Sequence, residues 1–88
     1  MKLKGEFILR EIAGEHILVP VGEKALDFNG IISLNEVGVE IWNGLREGLG
    51  RHELLNRLTD AFEAEESIIA ADLEEFLSEL ERYDLLEP

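Results

Sequence analysis

The rhythm of apolar and polar positions changes along the chain, and each change marks an element. From Glu6 to Val21, "EFILREIA" and "EHILVPV" are rich in β-branched and aromatic residues, the composition of strands. Gly14 between them supplies a turn, so the segment reads as a β-hairpin. Pro20 cannot donate to a ladder and marks an edge position or a strand end. "GEKALDFNG" follows as a connection, and its Asn29-Gly30 pair is a tight-turn signal. Two readings stay open there: a plain loop, or a second hairpin that pairs "ALDF" with "IISL". Under either reading Ile31 to Leu34 is a strand.

The period then shifts to that of helices. Val37, Ile41, Trp42 and Leu45 fall on one face of a helix from Asn35 to Glu47. Asn35 can cap it, Glu36 suits its positive end, and Gly48 and Gly50 terminate it. A second helix spans Arg51 to Phe62, with Leu54, Leu55, Leu58, Ala61 and Phe62 on one face. "EAEE" breaks the pattern. A third helix runs from Ser67, its expected cap, to Tyr83, with Ile69, Leu73, Phe76, Leu77 and Leu80 as its apolar stripe. Leu85 and Leu86 are expected to fold back onto the core. Strands first and three helices after predict an α+β fold, a small antiparallel sheet packed on a helical trio. Strand, cap and helix in direct succession at Ile31–Leu45 is the geometry of a winged-helix domain, a shape that often reads DNA.

Charge argues against that use. The 88 residues carry 8 Lys and Arg against 20 Asp and Glu, a net charge of −12. A duplex binder must neutralise several phosphates with basic side chains. Lys2, Lys4 and Arg10 lie near the start; Arg46, Arg51 and Arg57 are interleaved with Glu47, Glu53 and Asp60, so neither group is dense. The length suits one domain, residues 1–88, with one modest core. No apolar run approaches the roughly 20 residues of a membrane span, and "MKLKGEF" lacks the apolar middle of a secretory signal. The expectation is a soluble, cytoplasmic protein.

Residues able to do chemistry are sparse. The absence of Cys removes disulfides, thiolate metal sites and Cys nucleophiles. His16 and His52 lie on different elements without metal-ligand spacing; His16 reads as a half-exposed strand residue, His52 as a helix-start residue. Ser33, Ser67 and Ser78 have no catalytic motif around them, and "GLREGLG" lacks the spacing and the Lys of a phosphate loop. No catalytic residue, metal or cofactor is expected. Binding remains. "IISL" has neither charge nor Pro to blunt a sheet edge, so an extended peptide could add to it as a further strand. The same residues would equally suit a central strand with both Ile in the core.

"ILVPVG", "DFNGIISLNEVGVEIWNGL" and "DLEEFLSELERYDLL" together resemble the PqqD-like family, the RiPP recognition elements, over nearly the whole chain. The resemblance implies a three-stranded antiparallel sheet followed by three helices, winged-helix-like. It implies no catalytic centre. It implies binding of the leader segment of a ribosomally made precursor peptide, added as a strand to the third β-strand against the third helix. The partner enzyme is implied to be a modifying enzyme, often of the radical S-adenosylmethionine type. Carried onto this chain, the strand is Ile31, Ile32, Ser33 and Leu34. Helical spacing then assigns Leu73, Leu77 and Leu80 to the core. It puts Ile69, Asp72, Phe76, Glu79 and Tyr83 along one border, as the side chains facing the cleft. Backbone groups around Ile32 are expected to be the unsatisfied ones. A rim of Asp72 and Glu79 would favour a leader with Lys or Arg beside aliphatic anchors. The alternatives are a winged-helix DNA-binding regulator and a structural subunit that docks on an enzyme without binding peptide.

Overall fold

A computed structural model describes residues 1–22 and 31–87. The Asn29-Gly30 turn, and the choice between loop and second hairpin, fall on residues 23–30 and lie outside the described residues. The elements, in order, are β1 (Lys2–Leu3), β2 (Glu6–Ile12), β3 (Glu15–Val21), β4 (Ile32–Leu34), α1 (Glu36–Arg46), α2 (Arg51–Ala61), α3 (Glu66–Arg82) and β5 (Leu86–Glu87).

β2 and β3 form the expected hairpin. Ile12 pairs with Glu15, which leaves Ala13 and Gly14 as a two-residue loop. Both have positive φ, 53° and 82°, as the type I′ turn requires. That turn matches the twist of the two strands it joins. β4 pairs antiparallel with β3, so the sheet order is β2-β3-β4. Pro20 lies on β3 beyond the described ladder to β4, which ends at Leu18. Side chains alternate across the sheet. Phe7, Leu18, Ile32 and Leu34 face the core; Ile8, Arg10 and Ser33 face outward.

The helices close over the inner face. Ile41, Trp42 and Leu45 of α1, Leu54 and Leu58 of α2, and Ile69, Leu73, Leu77 and Leu80 of α3 form one cluster with the sheet residues. Phe7 meets Trp42 edge to face at 6.2 Å between ring centroids, joining β2 to α1. Gly44 lets α1 approach α2 closely, because a Cβ there would strike Leu54. Arg57 of α2 reaches Glu47 at 2.6 Å and Glu40 at 3.2 Å. The hydrogen bond to Glu47 raises the Arg57 pKa above its ordinary value.

Leu85 and Leu86 do fold back and are buried. The return makes a contact the sequence pattern does not announce. β5 pairs with β1, Lys4 N–H donates to the Leu85 carbonyl at 2.8 Å, and Lys4 Nζ reaches Asp84 at 2.7 Å. Two-residue strands are too short to show a period.

Two local expectations change. Ser67 is not the cap of α3; the N-cap is Glu65, with no side-chain cap bond. The Glu65 carbonyl accepts from Ile68 and Ile69, and Glu66 occupies the positive first turn. Ala61 is exposed at the end of α2 instead of buried with Leu54 and Leu58. Asn35 caps α1 as expected: its side chain accepts from Gly38 N–H at 2.8 Å. Asn35→Ala is expected to cost about 1 kcal/mol, the usual loss for a helix N-cap. Thermal unfolding followed by circular dichroism should show a midpoint lower by roughly 4–8 °C.

Candidate functional site

The site begins with the pairing of β4. A two-residue hairpin closes with its flanking residues exchanging backbone bonds, so Ile12 and Glu15 are a hydrogen-bonded pair. Bonded and non-bonded pairs alternate along an antiparallel ladder. On β3, therefore, Ile17 and Val19 aim their N–H and C=O at β2, while His16 and Leu18 aim theirs at β4. The register His16 to Leu34 and Leu18 to Ile32 makes Ile32 and Leu34 the bonded residues of β4. Ser33, opposite Ile17, points its backbone N–H and C=O away from the sheet. No strand pairs with that side among the described residues. The backbone groups that point outward thus belong to Ser33, next to Ile32, whose own groups face β3; this narrows the expectation from sequence to one residue.

A groove runs beside this edge, with α3 as its far wall. Asp72, Phe76, Glu79 and Tyr83 recur at steps of four, three and four residues, one ridge along a helix. The groove has two hollows. The first, of about 130 Å³, lies between Ile32, Ser33, Leu34 and Asn35 on one side and Phe76, Glu79, Leu80 and Tyr83 on the other. The second, of about 190 Å³, lies past the end of β4, where α1 begins. Asn35, Val37, Gly38 and Ile41 line it on the α1 side, and Asp72, Glu75, Phe76 and Glu79 on the α3 side. Asn35, Phe76 and Glu79 border both. Gly38 sets how close the walls come, since a Cβ there would stand 3.1 Å from the Phe76 ring.

The residues singled out from sequence fall in three places. Ile32, Ser33, Leu34, Asp72, Phe76, Glu79 and Tyr83 line the groove. Ile32 and Leu34 are 8% and 7% exposed, so they form its floor from the core side. Ile31 precedes β4 and is exposed, lining neither hollow. Ile69 is a correction: it is 3% exposed and sits in the core with Leu73. It lies three residues before Asp72 and four before Leu73, so spacing alone allows either ridge, and burial of its apolar side chain selects the inner one. Asn35, Val37, Gly38, Ile41, Glu75 and Leu80 line the groove without having been assigned to it. Glu75, three residues after Asp72, could have been found by the same helical step.

The electrostatics of the groove are one-sided. Asp72, Glu75 and Glu79 have no ion-pair partner among the described residues; the pairs present use Glu40, Glu47, Glu74 and Asp84, with Glu11 beside His16. His16 is half-buried on β3 and His52 is exposed on α2. Among the described residues no group of three His, Asp or Glu is arranged to hold a metal ion.

An α+β fold with a strand edge left open among the described residues and set against a groove defines a class of domain able to take up an extended chain. The pattern of one family, described as Coenzyme PQQ synthesis protein D (PqqD), matches residues 15–86. The chain belongs to the PqqD family. The solved structure of TbiB1 in complex with the TbiA(beta) leader peptide is similar: TM-score 0.76, 25% identity, covering 99% of this chain and 95% of that one. The search of curated proteins gave no match.

Proposed function

We propose that residues 1–88 act as one non-catalytic recognition unit. It captures the leader segment of a ribosomally made precursor peptide as an added strand on β4 and presents that peptide to a modifying enzyme, of the radical S-adenosylmethionine type. The observation that carries the reading is the outward backbone of Ser33 beside a groove walled by Phe76 and Tyr83. Backbone bonds to Ser33 supply affinity, and the hollows supply choice of side chain. The similarity to TbiB1, whose structure holds a leader peptide, supports the same reading.

Nucleic acid is disfavoured by the net charge of −12 and by three carboxylates in the groove itself. No helix among the described residues is long and apolar enough to cross a membrane. The handover is placed in the cytoplasm, where ribosomal products emerge.

The test is a titration of isotope-labelled chain with the leader of the precursor encoded beside its gene. Amide shifts are expected to concentrate on β4 and on α3 from Asp72 to Tyr83. Shifts confined to the α2 surface, or none at saturating peptide, would contradict the reading. Co-purification with the enzyme but no leader affinity would favour a docking subunit instead.

A further inference from the structure

We propose that the groove selects a precursor segment carrying Lys or Arg two residues from an apolar anchor, with the cation seated among Asp72, Glu75 and Glu79. The inference rests on the reading of β4 as the docking edge and adds the chemistry of the guest. The carboxylates do not stand alone: they close one end of a groove whose side wall is a strand edge that pairs with no other strand among the described residues.

The two hollows differ in character. The one beside β4 has Ile32, Leu34 and Leu80 at its floor with Phe76 and Tyr83 above them and Glu79 at the border it shares with the other, a seat for an aliphatic or aromatic side chain. The one at the start of α1 presents three carboxylates that the fold pairs with nothing among the described residues. Phe76 stands between them, held near Gly38. A chain lying along β4 sends alternate side chains to the same face, about 7 Å apart. Asp72 and Phe76 are one helical turn apart, about 6 Å along the α3 axis. The spacings match for neighbours on one face of the guest, so anchor and cation are two residues apart.

A diffuse negative field would attract any basic peptide. The groove instead sets a position. Asp72 and Glu75 are exposed and Glu79 is half-buried, so salt screens the Coulomb attraction in part. Cation and carboxylate there gain hydrogen bonds as well as Coulomb attraction.

The experiment is a selection from a display library of random ten-residue peptides on the full 88-residue chain. It is run in parallel on two variants of equal charge change. One is Asp72→Asn/Glu75→Gln/Glu79→Gln. The other, Glu63→Gln/Glu65→Gln/Glu81→Gln, removes exposed carboxylates that do not line the groove. The parent chain and the surface variant are expected to enrich an apolar residue and a Lys or Arg separated by one residue, in either order, and the groove variant the apolar anchor alone. By fluorescence anisotropy, an enriched peptide should bind the groove variant about tenfold more weakly, an effect of the size of a charged hydrogen bond. If enriched peptides shift β4 and α3 amides yet bind all three chains equally, the cation inference fails and the docking reading stands. If binding weakens equally in both variants, the diffuse field explains it and the inference fails. If no peptide is enriched, or enriched peptides shift other surfaces, both readings fall.

Discussion

Ser33→Pro is expected to abolish leader binding while leaving the fold in place. Proline lacks the N–H, and at Ser33 that N–H points away from β3, so the native ladder loses nothing. The ring also stands where an added strand must approach to about 4.8 Å. The lost bond and the obstruction together should weaken binding on the order of 100-fold or more, of which the bond alone accounts for about 1 kcal/mol. Isothermal titration with the leader measures the loss, and circular dichroism checks the fold. Ile32→Pro is the instructive contrast. Its N–H faces Leu18 in the ladder, and its side chain is in the core, so that variant should lose stability as well as binding. Undiminished affinity in a folded Ser33→Pro variant would move the site away from β4.

Phe76→Ala is expected to weaken binding on the order of 30-fold, the effect of an aromatic anchor worth about 2 kcal/mol. Phe76 is the side chain common to both hollows that is apolar, and it is half-buried, so part of its ring is available to a guest. Its removal also merges the two hollows and takes away the wall that separates anchor from cation. Stability should fall by only about 1–2 kcal/mol, because the ring packs on the core with one side and not all round. Anisotropy titrations and thermal melts on the same preparation separate the two effects. Affinity lost only in proportion to the unfolded fraction would assign Phe76 to the core alone.

Much of this architecture was legible because its periods are strong. The hairpin, the Asn35 cap and the Leu73-Leu77-Leu80 stripe all follow from spacing that packing then reinforces. The groove ridge of Asp72, Phe76, Glu79 and Tyr83 came from the same arithmetic. Ile69 shows where that arithmetic stops: two adjacent ridges share it, and only burial decides. The outward donor was illegible for a different reason. Whether Ile32 or Ser33 faces out depends on hairpin loop length transmitted across β3, a parity that no local window contains. Glu75 and Gly38 act through distances between helices, and such distances exist only after folding. The β1–β5 ribbon joins residues 2–3 to 86–87, each too short to show a pattern.

Hydrogen exchange at the single amide of Ser33 tests the central claim most directly. In the free chain it should exchange quickly, between Ile32 and Leu34 amides that are protected by their bonds to β3. With leader at saturation, Ser33 should slow markedly while its two neighbours change little. A Ser33 amide already protected in the free chain, or equally fast with and without leader, would contradict the account.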